Sequence, residues 1–531
     1  MKRFKLTKAA KVLIFMMIVT MIGGGVFFGM KSGLVKTKDK GTTATVKNDT
    51  KSAKNNSADD GNVINTDKPD DKTINLSLDE WIGWKGIIDA NGGLSTQKGS
   101  IYDELGVNVN ISIINDATQS SNALISGKID AAGYTINRTA FLSNKFSSAG
   151  KKVIMPYITN FSNGGDGIIA KSTINSVNDL LNAKIGVPQF SEAHSLVVWF
   201  VNQSDLTKEQ KNTIIDNLIY FETPDEAAKA FFVGQIDVAA TWEPYLTQAQ
   251  NMSDAHVLFS TASSSSLIMD GILFDEEFAR NNKDTVSAFI EGALEASVLY
   301  ETDTTTIKSV MPMFSAASSE DILNNCKSAK LTTYADNVNL FNGNAKTIYS
   351  DMCDVWESIG ETVNRDLLDT IFDVTYIAEL SNKYDTSDIT KTNVDAVVTE
   401  ENKQSVLDTT ALLQKSASVN FIINTAKFTD GAEATKTLDD FISIAKILDG
   451  TIIEIAGNTD PNPTSDPQDT ANKMLSQQRA ETVKQYFVMN GVSADRIITV
   501  GNGSSNPVVD NDTEEHKAMN RRTDVSFKCI E

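Results

Sequence analysis

The chain has 531 residues, with 69 Asp and Glu against 48 Lys and Arg, a formal net charge of -21 and a pI near 4.7. That balance argues against sequence-independent nucleic-acid binding, which needs basic surface, and the length exceeds a single hydrophobic core. Three cysteines are too few for a disulfide scaffold, and three histidines, far apart and without ligand spacing, give no zinc site. At the N-terminus, Lys2, Arg3, Lys5, Lys8 and Lys11 precede an uncharged apolar run from Val12 to Met30. The run is long enough to cross a bilayer and its basic flank predicts a cytoplasmic start. Residues 1–30 are therefore expected to form a single-pass transmembrane helix in the cytoplasmic membrane, with the bulk of the chain outside. A cleaved leader shares the basic start and apolar middle, but the length of the run and the lack of an A-x-A site favour an uncleaved signal anchor. Residues 31–72 shift to Lys, Thr, Asp, Asn, Ser and Gly. They read as a disordered tether of about 42 residues that spans on the order of 35 Å when relaxed.

Residues 73–383 contain an internal near-repeat. Ala123-Leu124-Ile125-Ser126-Gly127-Lys128-Ile129-Asp130-Ala131-Ala132 recurs as Ala230-Phe231-Phe232-Val233-Gly234-Gln235-Ile236-Asp237-Val238-Ala239. Each copy reads as the end of a helix, a glycine stop and a buried strand. One such unit in each half predicts two similar α/β lobes, with the residues just after each strand facing the crevice between them. The first copy runs into Tyr134-Thr135-Ile136-Asn137, the second into Thr241-Trp242-Glu243-Pro244.

Together with a first strand at Ile74 to Leu78, Tyr102-Asp103-Glu104-Leu105-Gly106, and Ser176-Val177-Asn178-Asp179-Leu180 leading to Lys184-Ile185-Gly186-Val187-Pro188, this stretch resembles the substrate-binding proteins of ABC importers, in the sulfonate, taurine, nitrate and thiamine-precursor group. The resemblance implies a type II periplasmic-binding-protein fold whose two lobes close on a small-molecule solute, with an ABC permease as partner and no cofactor. Carried onto this sequence, the cleft candidates are Trp81 and Trp84, Thr135 and Asn137, Ser191 and Glu192, Trp242 and Glu243, and Asp270. A tryptophan there stacks on a planar or cationic ligand or simply packs. Ser191, where a strand gives way to a helix, either helps bind an anion or only caps. Glu192, Glu243 and Asp270 favour an amine-bearing solute if all three face the cleft. No nucleophile stands beside a base and an orienting acid, and only His194 falls near the cleft, so no catalytic residue is expected. Cys326 and Cys353 are either a bridge or buried free thiols, with Cys529 left over.

After a linker at 384–416, residues 417–531 are expected to form the last domain. Its elements are a strand at Val419 to Ile423, a helix at Ala434 to Leu448, a strand over Ile452 to Ile455 ending at Thr459-Asp460, a helix from Asn472 to Asn490, and strands near Ile497 and Val525. In the long helix Ser476, Ala480, Val483 and Phe487 form one apolar stripe, with Asn472 and Arg479 on its flank. Gly457-Asn458-Thr459-Asp460, then N-x-x-L-S-x-x-R-A over Asn472, Leu475, Ser476, Arg479 and Ala480, then Gly501-x-Gly503 and Asn520-Arg521-Arg522, resemble the OmpA-type peptidoglycan-binding domain. The resemblance implies an α/β sandwich in which Asp460 and Arg479 grip the amino and carboxylate ends of a diaminopimelate-type peptide stem, an Arg fork suiting a carboxylate. Thr459, Asn472, Leu475, Ser476 and Arg522 complete the implied site. The loop Pro461 to Pro467 and Asn458 depart from the family, which commonly has a Gly soon after the Asp and His or Tyr in place of Asn458.

The expected function is that of a membrane-anchored extracytoplasmic solute-binding protein that also holds peptidoglycan. The alternative is a tether or docking protein linking membrane and wall without transport. A stator of the MotB kind is disfavoured because Val12 to Met30 holds no acidic residue.

Overall fold

The structure, a computed structural model, describes residues 72–388, 396–419, 421–422, 424–429, 435–460 and 469–529, with Ile64 and Asp70. The expected membrane anchor and nearly all of the tether lie outside the described residues. Among those described, no helix is long and apolar enough to cross a membrane.

Strands β1 (Ile74–Leu78), β2 (Val109–Ile113), β3 (Ala131–Thr135) and β4 (Val153–Ser162) belong to one lobe. The chain then crosses to a second lobe for β5 (Asp166–Lys171), β6 (Ile185–Pro188), β7 (Ile219–Phe221), β8 (Val238–Trp242) and β9 (Ala255–Ser260), and returns for β10 (Met269–Asp275) and β11 (Ala329–Leu331). The first sheet runs β11-β4-β10-β3-β1-β2 and the second β7-β6-β8-β5-β9. In each, the strand of the repeat pairs in parallel with an earlier strand of its lobe, β3 with β1 and β8 with β6.

The repeat has a physical basis in both copies. Gly127 and Gly234 end their helices in the left-handed region, at φ 70° and 74°, where a Cβ would strain the backbone. The aspartate immediately before each strand reaches sideways to its neighbour. Asp130 accepts the backbone N–H of Asn75 at 3.0 Å, and Asp237 that of Lys184 at 2.9 Å. Each lobe thus uses the same device to register its repeat strand.

Two segments cross between the lobes, 163–165 and 261–268, and Thr261 joins them. Its buried hydroxyl accepts Gly164 N–H at 3.0 Å, lies 2.8 Å from Ser162 Oγ and donates to Asp166 O at 3.1 Å. The helix Ala345–Ser358 packs on Ile136–Ser148 of the first lobe and Glu192–Gln203 of the second, and closes the side of the molecule behind the cleft. Cys326 and Cys353 are separate buried free thiols, so the bridge alternative does not form. Burial pushes them up to about 11 and about 12.

The C-terminal sheet runs β12 (Leu413–Ala417), β15 (Thr523–Lys528), β13 (Ile452–Asn458), β14 (Ile497–Gly503). Its first strand is Leu413–Ala417 and not Val419 to Ile423, and a short helix, Lys403–Asp408, stands within the stretch read as linker. The apolar run served another purpose. Phe421 bridges to Phe428, and their rings stack at 5.3 Å. Leu413 and Ala417 buried, Lys415 half-buried between them, and Gln414 and Ser416 exposed give β12 the period-two pattern of a half-buried strand.

This sheet does not stand apart. The turn after helix Lys436–Ile447 seats on the second crossover: Ser264 Oγ donates to Ile447 O at 2.6 Å, Asp449 accepts Ser265 N–H at 2.8 Å, and Gly450 N–H donates to Ser263 O at 3.0 Å. Burial raises the Asp449 carboxyl above its usual range. Val177 N–H to Leu412 O and Ser416 N–H to Asp205 add contacts with the second lobe. A Cβ on Gly450 would stand 2.7 Å from Ser263 Cα. Gly450→Val should therefore cost about 1–3 kcal/mol, read as a lower first midpoint in urea denaturation; an unchanged midpoint would place the C-terminal domain away from the crossover.

Candidate functional site

Between the lobes lies a cleft of about 60 Å³, and its wall includes Trp81, Trp84, Thr135, Glu192, Trp242 and Asp270. These six, all singled out from the sequence, come together because five stand at or after the carboxyl ends of parallel strands of the two sheets and Asp270, at the start of antiparallel β10, lies opposite Thr135. Three others do not line it. Asn137 is buried and donates to Ser195 Oγ at 3.0 Å and Leu267 O at 3.2 Å, which joins the lobes behind the cleft. Ser191 caps its helix, accepting His194 N–H at 3.2 Å. Glu243 holds the next helix through Thr247, at 2.8 and 3.1 Å.

The cleft also contains Asp79, Arg138 and Asp166, which sequence reasoning missed. Each is a charged residue just after a strand or at the turn into one, a signal as good as those that were used. Arg138, from the first lobe, forms a bidentate pair with Glu192 of the second, Nε to Oε1 at 2.8 Å and Nη2 to Oε2 at 2.6 Å. Thr135 Oγ1 adds a bond to the same carboxylate at 2.9 Å. Burial opposes charge on both partners. The pairing outweighs it, holding Glu192 below the usual carboxylate range and Arg138 above its ordinary value.

The tryptophans are held by close packing against glycines. A Cβ on Gly133 would meet the Trp84 ring at 2.8 Å, and one on Gly165 the Trp81 ring at 2.6 Å. Trp84 Nε1 donates to Asp79 at 2.6 Å and Trp81 Nε1 to Asp270 at 3.0 Å. Trp242 Nε1 donates to Asp225 at 3.0 Å. His194 is buried behind the cleft wall beside Phe190, Tyr220 and Trp356, and burial lowers it to about 4. Among the described residues no cluster of His, Cys, Asp and Glu has the arrangement of a metal site.

The second candidate site lies at the end of β13. The helix Thr470–Met489 buries Ser476, Ala480, Val483 and Phe487 against β13 and β14. The approach is close enough to demand glycine. A Cβ on Gly457 would stand 2.2 Å from Ser476 O, and one on Gly501 2.6 Å from Lys473 O. Ser476 Oγ in turn accepts Gly503 N–H at 2.9 Å. Leu475 is half-buried beside this seam, and Thr459 continues the strand through Gly503 O at 2.8 Å.

The acid and base there are partnered differently from the expectation. Asp460 pairs with Arg521, Nη1 to Oδ2 at 3.1 Å. Arg479 donates Nε to Thr425 O at 3.1 Å and lies over the Phe421 ring at 4.9 Å. Burial lowers its pKa, with nearby Asp460 opposing and Arg521 reinforcing the shift. Asn472 spans Asp469 Oδ1 at 2.6 Å and Asp460 O at 3.4 Å. Arg522 is turned inward, Nε to Asp524 at 2.9 Å and Nη1 to Asn506 O at 3.0 Å. Of the two adjacent arginines, Arg521 and not Arg522 is the one that reaches Asp460. The two lie between the helix Glu514–Asn520, which Arg521 caps, and β15, which begins at Thr523.

Residues 420–521 match the OmpA family model and residues 95–300 the NMT1/THI5 like model. The chain joins an NMT1/THI5-like domain to an OmpA-type domain. Over 94 residues it is 45% identical to outer membrane porin F of Pseudomonas fluorescens, covering 18% of this chain and 27% of that protein. Over 54 residues it is 50% identical to the peptidoglycan-binding protein ArfA of Mycobacterium tuberculosis, covering 10% of this chain and 17% of that one. The chain thus spans less than half the length of these curated relatives. Among solved structures it is similar to the periplasmic aliphatic sulphonate binding protein SsuA of Escherichia coli, at 16% identity and TM-score 0.45 over 57% of this chain and 99% of that one. It is also similar to the periplasmic nitrate-binding protein NrtA of Synechocystis PCC 6803, at 12% identity and TM-score 0.44 over 64% and 98%.

Burial pushes the Asp166 carboxyl, in the NMT1/THI5-like domain, up to about 7 from an ordinary 3.8. The raised value means that its proton favours the folded state: that stability is fully present below the ordinary value and is lost as pH rises through about 7. Asp166→Asn has no such proton to lose. Wild type should therefore lose melting temperature relative to the variant between about pH 4 and about pH 7; a difference that stays flat across this window contradicts the buried carboxylate.

Proposed function

We propose that the protein captures a small solute between its two lobes and holds the cell wall through its OmpA-type domain, without catalysing a reaction. The observation that carries the first half is the cleft itself, in which three tryptophans and an inter-lobe ion pair from both sheets surround one space. The second half is supported by the OmpA match together with Arg479 and Arg521 around a single carboxylate, Asp460. Arg479 pairs with no carboxylate among the described residues. It is held in place by a ring and a carbonyl, which leaves its fork for an incoming carboxylate such as that of a diaminopimelate stem. Residues 73–383 act as the solute-binding part and the C-terminal region as the wall-binding part. The basic flank and apolar run at the N-terminus support a place in the cytoplasmic membrane, with these domains on its outer side and an ABC permease as the solute's next station.

Two measurements test the two halves. Arg479→Gln and Arg521→Gln together should lower sedimentation with purified diaminopimelate-type peptidoglycan by about tenfold or more, with the circular dichroism of the protein unchanged. Undiminished sedimentation of the double variant would reject the site. For the cleft, a solute should change tryptophan fluorescence saturably, and Trp242→Ala should weaken the response. A protein silent to every solute while still bound to the wall would be a tether.

A further inference from the structure

The cleft contains four carboxylates, Asp79, Asp166, Glu192 and Asp270, and one guanidinium, Arg138. Arg138 is spent on Glu192, which takes it in bidentate fashion. The other three carboxylates receive only neutral donors among the described residues: Trp84 for Asp79, Ser162 for Asp166 at 2.7 Å, and Trp81 for Asp270. Asp270 is 4% exposed. Removing carboxylates from water without a cation is costly, and proteins otherwise pair such groups or leave them protonated. The three lie within electrostatic reach of one another, so each raises the burden on the others. A metal ion is a poor answer to this imbalance, because the carboxylates do not converge as ligands, and indole rings make up much of the remaining wall.

We infer that the cleft is built for a small organic cation, an ammonium or amidinium group seated among Asp79, Asp166 and Asp270 under the rings of Trp81, Trp84 and Trp242. The inference rests on the solute-binding reading above and names its ligand class. Aromatic faces and carboxylates attract the same ligand for the same reason, since the ring's electron-rich face and the anion both stabilise positive charge. The indole N–H groups of Trp81 and Trp84 are already turned to Asp270 and Asp79, so each tryptophan orients an acid in the wall it helps to line. A nitrate or sulfonate would meet three carboxyl groups that can give up a proton in favour of a cation but cannot attract an anion. Its one potential guanidinium partner is held by Glu192.

The test is a titration of the intact protein, followed by tryptophan fluorescence and calorimetry, with three sets of probes. The cations are choline, putrescine and agmatine. The neutral probe is the carbon isostere of choline, and the anions are methanesulfonate and nitrate. At least one cation should bind saturably, choline, if it is that cation, about tenfold or more tighter than its isostere. Asp270→Asn, which keeps an acceptor for Trp81, should weaken binding of that cation by about tenfold or more without changing the circular dichroism. Saturable binding of an anion with no response to cations overturns the cation assignment and leaves solute capture standing, as does equal affinity for choline and its isostere. No response to any probe overturns both.

Discussion

The bidentate pair between Arg138 and Glu192 is the interaction on which the rest of the cleft depends. Its partners come from different lobes, on helices that begin at Ile136 and Glu192, so it exists only while the lobes face each other at this distance. An ion pair taken from water gains little net stability unless its geometry is good and its remaining positions are satisfied. Here both conditions hold, with two parallel bonds and a third from Thr135. The side chains remain 22% and 20% exposed, so the pair can open to water without stranding a bare charge. We propose that the pair acts as a latch. Behind it, Thr261 ties the two crossovers together and Asn137 joins the lobes through Ser195.

The latch also sets the charge balance. The bidentate bonds of Arg138 go to Glu192, which leaves Asp79, Asp166 and Asp270 with neutral hydrogen-bond donors among the described residues and Asp79 alone within reach of the Arg138 charge. At the end of β13 the sign reverses, with Arg479 and Arg521 around Asp460. One molecule thus carries a site short of a cation and a site with a guanidinium to spare. The OmpA-type domain is seated on the second lobe and on the crossover at Ser263 to Ser265. Whatever holds that domain therefore also holds the second lobe and the crossover.

Much of this was legible in the sequence, and the reasons are local. The paired G-x-I-D segments announced two lobes because a left-handed glycine and a register-setting aspartate are backbone requirements that leave fixed spacing. Gly457, Ser476, Gly501 and Gly503 were legible for a related reason, since a helix lying this close to a sheet admits no larger residue. What the sequence hid depends on direction and partner choice. The more apolar run, Val419 to Ile423, was a better strand by composition than Leu413–Ala417, yet Phe421 was needed under Arg479. Arg521 and Arg522 differ by one residue and face opposite ways. Asp79, Arg138 and Asp166 carried the same positional signal as the residues that were chosen, a charge at or near a strand end, and were passed over.

The latch is open to direct measurement by pulsed electron spin resonance between labels at Lys128→Cys and Gln235→Cys. These are equivalent positions of the two repeats, both exposed, one on each lobe. Cys529→Ser removes the remaining accessible thiol, and Cys326 and Cys353 are buried and poorly reactive for that reason. With Arg138 and Glu192 intact, one distance should dominate. Glu192→Gln should add a second, distinct distance, because the lobes then separate while Thr261 still joins the crossovers. The same single distance in both proteins would contradict the latch and the movable cleft built on it.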